Sequence, residues 1–418
     1  MILIYRISIN FVFLFSPLII LIRLFKKKES LKRFKEKFCF FSKQKVSGKL
    51  VWFHGASVGE LQSIIPLIEK IEKNKKIKQI LITSNTLSSS KIIEKIKYKK
   101  VVHQFFPIDT NFLSQKFLNY WKPSSAFFID SEIWPNMILN LKKKNIPITL
   151  LNARITNKTF KRWKLLPKFS LNLFNQLNLC LSSSYESKVY LKKLGVKNIK
   201  HIGNLKFSQS ENEEVNIDIN FKKFISKKKI WCASSTHNLE EQFSGLVHKE
   251  LKKKYNNLLT IIIPRHIERV DEIENKLNNL GLKVHRHEPK KKIDKKTDVY
   301  IVNSYGKTKS FYILCKNVFL GGSLINHGGQ NPLEAARYGC NILHGPNISN
   351  FREIYNFLKK NGISTKISNK KMMISTLKKF FNKKSGSKKI EKKLNKIGQN
   401  ILKNTYKEIN PIIEKNEI

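Results

Sequence analysis

Short apolar runs that alternate with helical patterns most restrict the fold of this chain. In the first half, runs typical of buried strands are expected at Leu50–His54, Gln79–Thr83, Val101–Phe105, Ala126–Asp130, Ile148–Asn152, Leu177–Leu181 and Ile199–Ile202. In the second half they are expected at Ile230–Ala233, Leu258–Ile263, Lys283–His287, Val299–Val302, Asn317–Leu320 and Asn341–Leu343. Helical spacing between them is clearest at Glu60–Lys73, Leu239–Lys254, Glu268–Asn279 and Pro332–Tyr338. Such alternation is typical of a parallel sheet covered on both faces, so we expect an α/β protein.

A polar stretch divides the alternation into two halves. Residues 208–228, SQSENEEVNIDINFKKFISKK, are the expected linker between doubly wound, Rossmann-like domains at 26–207 and 229–383. Ligands of such folds bind beyond the carboxyl ends of the strands, so two facing domains would share a cleft. Residues 384–418 are expected to be a Lys-rich, partly helical tail. Its apolar side chains share one helix face: Ile390, Leu394, Ile397 and Ile401.

The first 25 residues form a separate apolar segment, followed by Lys26, Lys27 and Lys28. Within it, the apolar run from Ile7 to Ile22 is interrupted by polar residues and a proline, and its length is near the lower limit for a membrane-spanning helix. A cleaved signal peptide is one alternative, but a basic cluster follows the apolar run where a small-residue cleavage site would be needed. A buried core helix is another. We expect an uncleaved membrane anchor, spanning or interfacial, with the basic collar of residues 26–37 on the cytoplasmic side against anionic lipid.

The net charge of +50 has two explanations. A polyanionic partner, such as nucleic acid or an anionic membrane, would favour a basic chain. However, only ten of the 80 basic residues are arginine, and Lys, Ile, Asn and Phe all have AT-rich codons, so compositional drift also explains the pattern. Specific nucleic-acid binding is not expected, because acidic residues (Glu60, Asp130 and Glu132) stand at the predicted strand ends.

Polar motifs in the first half follow predicted strands. His54-Gly55-Ala56-Ser57-Val58-Gly59-Glu60 ends at a predicted helix start, where Glu60 could either cap the helix or act as a general base. Asp130-Ser131-Glu132 precedes a Trp-Pro helix start, and an acidic pair there is unusual for simple capping. Two cations also follow strands, Arg154 and Lys206. These side chains would meet at one sheet edge.

The second half repeats this arrangement. Ser234-Ser235-Thr236-His237 precedes a helix, and Pro264-Arg265-His266 supplies a guanidinium suited to a phosphate. Gly321-Gly322-Ser323 and then Gly328–Glu334 bring glycine-rich backbone to another helix start. An ordinary helix cap is the alternative for each motif. No Walker A loop, opening GxGxxG, HExxH or CxxC pair is present, so a dinucleotide or metal site is not indicated.

Taken in order, eight motifs make the sequence recognisable. HGASVGE, DSEIWPN, NARIT, GNLKF, SSTHNLEE, IIIPRH, GGSLINHGGQNPLEAA and GPNISNF resemble the 3-deoxy-D-manno-octulosonic acid (Kdo) transferases of Gram-negative bacteria. The resemblance runs from the apolar N-terminus to about residue 360. It implies a GT-B glycosyltransferase of lipopolysaccharide biosynthesis at the inner membrane, transferring Kdo from CMP-Kdo to a lipid A precursor. It implies no cofactor and no metal.

The resemblance also implies roles for residues. Glu60 matches the catalytic base of the family, and Glu132 and Lys206 match its transition-state-stabilising pair. The N-terminal domain would bind the lipid A precursor and the C-terminal domain CMP-Kdo. The CMP-binding positions carry over to Pro264, Arg265, Tyr305, Gly306, Lys307, Asn331, Pro332, Leu333 and Glu334.

One departure from the family pattern lies beside the nucleotide positions. Lys307 stands where the family usually has an acidic residue, which would weaken donor binding if a carboxylate, and not the backbone, makes that contact. Another GT-B nucleotide-sugar transferase or an epimerase of the same architecture remains the alternative function.

Overall fold

The computed structural model of the chain describes residues 1–96, 98–209, 218–288, 293–382 and 387–415, with 387–390 described by backbone alone. The polypeptide divides into two compact units, Met1–Ser210 with Lys396–Ile418, and Glu211–Asn395. Each unit is built on one seven-stranded sheet whose strand pairs are all parallel. The α/β prediction is therefore confirmed.

The strands of the first sheet follow the expected positions closely. They are β1 Leu50–His54, β2 Gln79–Ser84, β3 Val101–Phe105, β4 Ser125–Ile129, β5 Ile148–Ala153, β6 Leu179–Ser182 and β7 Ile199–His201. The helices are α1 Ile2–Phe25, α2 Val58–Glu72, α3 Leu87–Lys95, α4 Asn111–Trp121, α5 Pro135–Lys143, α6 Asn157–Lys164, α7 Pro167–Phe174 and α8 Tyr185–Lys193. The strand order β3-β2-β1-β4-β5-β6-β7 reverses direction between β1 and β4. Ligands of doubly wound sheets bind at such a reversal.

The second sheet has the same design. Its strands are β8 Lys229–Thr236, β9 Leu258–Pro264, β10 Val284–Arg286, β11 Val299–Ile301, β12 Asn317–Leu320, β13 Asn341–His344 and β14 Ser364–Lys366. Its helices are α9 Ile219–Ile225, α10 Glu240–Lys252, α11 Val270–Asn278, α12 Thr308–Leu314, α13 Leu333–Arg337, α14 Arg352–Lys360 and α15 Lys370–Phe381. The order β10-β11-β9-β8-β12-β13-β14 reverses between β8 and β12.

Strand β1 shows why the apolar runs are continuous. Successive side chains of a strand point to opposite faces, so Leu50 and Trp52 pack in one core while Val51 and Phe53 pack in the other. All five residues of β1 are buried because helices cover both faces of the sheet. The polar residues of the motifs therefore lie beyond the strand ends, where the covering helices begin.

The expected linker and the C-terminal tail both contain helix in the structure. Residues 210–217 of the expected linker lie outside the described residues, and α9 occupies part of the remainder. The Lys-rich tail forms α16, Ser387–Lys415, and its residues from Lys396 onward belong to the first unit. There Ile401, Ile409 and Ile413 join the apolar core.

Helix α1 covers the expected anchor. With a mean hydropathy of 2.2 in its most apolar window, it is the one helix among the described residues that is long and apolar enough to cross a membrane. Within it only Ser16 and Ile20 are buried.

Candidate active site

Glu60 lies in the first turn of α2, just beyond β1. Ser57 is the N-cap, and its hydroxyl accepts from the Glu60 N–H at 3.4 Å. The Glu60 carboxylate in turn accepts from the N–H groups of Ala56 at 2.6 Å and Ser57 at 3.3 Å. This reciprocal arrangement is a capping box. The capping role weighed from the sequence is therefore present in the structure.

The same carboxylate has an unusual acidity. Burial, followed by the negative charges of Asp130 and Glu132, raises the pKa of Glu60 to about 7. A carboxyl group in water is almost fully ionised at neutral pH, whereas a carboxyl with this pKa is only partly ionised there. A group that titrates near the working pH is well matched to proton transfer. Capping therefore accounts for the position of Glu60 but not for its acidity.

Glu132 follows β4 and is held by aromatic side chains. Its Oε2 accepts from the indole N–H of Trp134 at 2.9 Å and lies 3.2 Å from Nε2 of His54. The ring of His54 is fully buried and its Nδ1 lies 2.9 Å from the hydroxyl of Thr83. The indole N–H of Trp134 also lies 3.1 Å from Nε2 of His54. This network fixes the direction of the Glu132 carboxylate.

Lys206 contacts Asp130. Its Nζ lies 3.4 Å from Asp130 Oδ2, and both side chains are largely buried. The amide of Asn152 donates to the other oxygen of Asp130, and Asn152 Oδ1 accepts from the N–H of Leu205 at 2.9 Å. Asn152 thus links the carboxylate to the segment that carries the lysine.

Asp130 and Asn152 share a backbone conformation that side-chain-bearing residues seldom adopt. Their φ angles are +56° and +51°, in the left-handed region. Asp and Asn tolerate this region better than most residues. Residues held in such sparsely populated backbone conformations cluster at functional sites. The sequence singled out Asp130 as one of an acidic pair but gave no role to Asn152 or His54.

In the second unit, Glu240 organises the corresponding edge. Its Oε2 accepts from the N–H groups of His237 at 3.0 Å and Gly322 at 2.7 Å. Its Oε1 accepts from Ser323 at 3.1 Å and Leu324 at 3.0 Å. The side chain therefore ties the loop after β8 to the loop after β12, across the reversal of the sheet. The sequence alone did not indicate this role, although Glu240 lies in the motif SSTHNLEE at the start of the helix expected at Leu239–Lys254.

His237 lies among basic and aromatic side chains. Its ring centroid is 4.3 Å from that of His327 and 5.7 Å from that of His266. Burial and then neighbouring cations, which include Arg265, lower the pKa of His237 to about 4. The ring is neutral at pH 7, and its Nε2 accepts from the amide of Gln330 at 3.1 Å. The surroundings that disfavour a further positive charge favour an anion.

The nucleotide positions implied by the resemblance lie at the carboxyl ends of this sheet. Pro264 is the buried last residue of β9, and the exposed Arg265 follows it, its N–H bonded to Thr236 O at 2.9 Å. Tyr305 is exposed and donates to Glu268 at 3.4 Å. Gly306 has a φ of +77°, with open space where a Cβ would be.

The other implied positions start α12 and α13. Lys307 is the exposed N-cap residue of α12, and its side chain makes no capping hydrogen bond. Asn331 Oδ1 accepts from the N–H of Leu333 at 3.2 Å, and Pro332, buried like Leu333, is the N-cap residue of α13. The hydroxyl of Thr308 donates to Glu334 at 3.4 Å. This last bond brings the two predicted stretches together.

Comparison with known proteins identifies the family. The sequence model described as 3-deoxy-D-manno-octulosonic-acid transferase (kdotransferase) matches residues 32–209. A 3-deoxy-D-manno-octulosonic acid transferase of Rickettsia bellii is 34% identical over 350 residues, which are 82% of each chain.

Solved structures show how widely the fold is shared. A glycosyltransferase from Rickettsia africae superposes with a TM-score of 0.57 at 11% identity, covering 89% of this chain and all of that one. A UDP-GlcNAc 2-epimerase from Neisseria meningitidis gives 0.55 at 15% identity, covering 88% and 100%. The fold is therefore GT-B-like, but the fold alone does not separate transferases from epimerases. The sequence relationship does separate them, because the relative that is 34% identical is a transferase. The chain belongs to the 3-deoxy-D-manno-octulosonic acid transferase family.

Proposed function

We propose that this Kdo transferase is an inverting enzyme that moves Kdo from CMP-Kdo to the lipid A precursor lipid IV-A, with Glu60 as general base. The observation that carries the proposal is the raised pKa of Glu60, about 7, at the start of α2. About half of such carboxyls are ionised at neutral pH, and the ionised form can accept a hydroxyl proton.

The reaction is a single displacement. The acceptor hydroxyl oxygen attacks the anomeric carbon of Kdo and loses its proton to the Glu60 carboxylate. As the new carbon–oxygen bond forms, the bond to the CMP phosphate breaks, and CMP leaves with the bonding electrons. One displacement inverts the configuration and needs no covalent enzyme intermediate. The proton on Glu60 then passes to solvent.

Lys206 and Glu132 are proposed to stabilise the transition state. An ammonium held near the reacting groups lowers the energy of developing negative charge without reorganising during the step. Asp130 lies within 3.4 Å of the lysine and orients it. Glu132, fixed by Trp134 and His54, presents a carboxylate that can stabilise the positive charge of an oxocarbenium-like sugar.

The second unit is proposed to bind CMP-Kdo. Arg265 supplies a guanidinium for the phosphate, next to the neutral His237. Tyr305, Gly306 and Lys307, with the group Asn331, Pro332, Leu333 and Glu334, would hold the rest of the nucleotide. The first unit would then take the lipid A precursor, and helix α1 would keep that unit at the inner membrane, on its cytoplasmic side. No cofactor or metal takes part in this scheme.

The decisive experiment replaces Glu60 with glutamine. Glutamine can still cap α2, so Glu60→Gln should keep the thermal unfolding temperature while removing the base. We expect kcat for Kdo transfer from CMP-Kdo to lipid IV-A to fall by about 10²–10⁴-fold. Ser57→Ala is the matched control, since it weakens the cap and leaves the carboxylate. Near-wild-type turnover by Glu60→Gln would exclude the proposed base.

Mass spectrometry of the product separates the remaining possibilities. A mass increase of one or more Kdo residues on the lipid supports the proposed reaction and counts the residues added. Transfer from a UDP-sugar, with none from CMP-Kdo, would contradict it.

A further inference from the structure

Helix α1 contacts the rest of the first unit near its N-terminus and in its middle. Its less exposed residues recur every three or four positions, and so form one stripe: Ile2, Tyr5, Arg6, Ile9, Phe13, Ser16, Ile20, Arg23 and Leu24. Phe13 packs against the core that contains Trp52, with its ring 6.0 Å from that of Phe38. The helix is about 36 Å long at 1.5 Å per residue, and the stripe runs from its first turn to its last.

The contacts near its N-terminus are polar and specific. The hydroxyl of Tyr5 donates to Asp109 at 2.7 Å. The Arg6 guanidinium donates to Asn136 at 3.0 Å and to Asn111 at 3.2 Å. Asp109 also accepts from the backbone at the start of α5, so the bonds attach α1 to the folded domain. A helix that crosses the hydrocarbon core would carry Tyr5 and Arg6 away from these partners.

The opposite face of α1 is apolar throughout. At 100° per residue, residues 4, 7, 11, 18 and 22 lie within roughly 40° of one line, opposite the stripe. Four of these side chains are more than half exposed: Ile4 is 59% exposed, Ile7 62%, Phe11 64% and Leu18 57%. The polar residues Ser8 and Asn10 lie on the two flanks, roughly 70–90° from that line. The helix therefore has a protein side, an apolar side and a single polar residue on each flank of its N-terminal half.

Basic residues adjoin the C-terminal end of this apolar face. Lys26, Lys27, Lys28, Lys32 and Lys35 are exposed. The two other cations of the collar are used internally, since Arg33 pairs with Glu36 and Lys37 with Glu29. Exposed lysines beside an apolar helix face match an anionic bilayer surface, where acyl chains and headgroup phosphates meet.

From this arrangement we propose that α1 does not cross the membrane but lies in the plane of one leaflet. Its apolar face enters the acyl boundary, Ser8 and Asn10 lie at headgroup level, and its stripe stays docked on the first unit. The inference deepens the membrane attachment within the proposed function. It requires no particular donor or acceptor.

Nitroxide depth measurements on the full chain test this geometry. Single cysteines at Asn10 and Phe11 are spin-labelled in vesicles of phosphatidylethanolamine and phosphatidylglycerol, and their collision rates with oxygen and a water-soluble nickel complex are compared. The five native cysteines are buried, so they should react little with the spin label. Labelling of the unaltered chain measures this background. Ser8→Cys and Leu18→Cys repeat the comparison at a second flank and apolar position.

In the flat orientation, Phe11 and Leu18 lie about 5–10 Å below the headgroups, while Asn10 and Ser8 are accessible to the nickel complex. In a spanning helix, Asn10 and Phe11 differ in depth by only about 1.5 Å, and both lie near the middle of a core about 30 Å thick. Equal depths for these neighbours would overturn the proposal, as would labels that never contact lipid. Because depth is measured without substrates, an inactive enzyme would leave this result unchanged.

Discussion

The Nζ of Lys206 lies 3.4 Å from Oδ2 of Asp130, although 76 residues separate them in the chain. A carboxylate at this distance can orient the ammonium group that we propose stabilises the developing charge. Lys206→Gln should therefore lower kcat by about 10²–10³-fold, the usual effect of removing one electrostatic stabiliser, with a smaller change in the KM for CMP-Kdo. Steady-state kinetics on both substrates measures the two effects.

Lys200→Gln is the matched control for that substitution. Lys200 lies on β7 of the same unit, with its side chain 50% exposed, and pairs with Glu408, which is 23% exposed. Since exposed ion pairs contribute little, this variant should retain near-wild-type kcat. Equal losses for the two variants would show that Lys206 acts only through general stability.

The acidity of Glu60 predicts a pH profile. Because the protonated carboxyl cannot accept a proton, kcat/KM should fall as the pH decreases through about 7. After burial, the charge of Asp130 contributes more than that of Glu132 to raising the pKa of Glu60, so Asp130→Asn should move the acidic limb to lower pH. The profile is measured from pH 5 to 9. An acidic limb that stays in place, or moves upward, would contradict the assignment of this limb to Glu60.

Glu240 predicts a stability effect confined to the second unit. Glu240→Ala leaves four backbone N–H groups without this acceptor, three buried and that of Leu324 partly buried. Each buried group without an acceptor costs about 1–3 kcal/mol. We expect a lower unfolding temperature and faster amide hydrogen exchange at Gly322, Ser323 and Leu324. Glu250→Ala, on the exposed face of the same helix, should change the unfolding free energy by less than about 0.5 kcal/mol. Unchanged hydrogen exchange at Gly322, Ser323 and Leu324 would contradict a stabilising role of Glu240 for this loop.

Asp109 predicts a pH-dependent stability. Burial raises its pKa to about 7, above the unfolded value of about 3.9. The folded state therefore holds the proton more tightly, and its advantage, present below about pH 4, is lost as the pH rises through 7. Denaturation of wild type and Asp109→Asn should show the wild type losing a few kcal/mol relative to the variant between about pH 4 and 8. A pH-independent difference would contradict the raised pKa.

The sequence predicted the alternating elements well because their signal is local. The apolar residues of β1 and the spacing of α2 are visible within single windows of the chain, and the expected bounds of β12 were those observed. The polar strand β14, Ser364–Lys366, was missed because its sequence, Ser-Thr-Lys, carries no apolar run. It is an edge strand that pairs only with β13 among the described strands.

The candidate site was predictable as motifs and not as contacts. The strand ends that carry Glu60, Glu132 and Lys206 were identified from sequence, and so was the resemblance to the family. The dependence of Lys206 on Asp130 and Asn152 was not, because it requires two left-handed residues at neighbouring strand ends. Similarly, no local pattern shows that the carboxylate of Glu240 spans the loops after β8 and β12.

By itself, then, the sequence determined an α/β chain with two similar halves, an apolar N-terminal helix and a set of polar motifs beyond the strands. These follow from periodicity and from residue types within short stretches. Only the tertiary structure decided which polar groups meet, which carboxyl is buried among other negative charges, and which face of α1 is docked on the protein. Those properties depend on strand order and on contacts between distant segments, which short-range patterns do not encode.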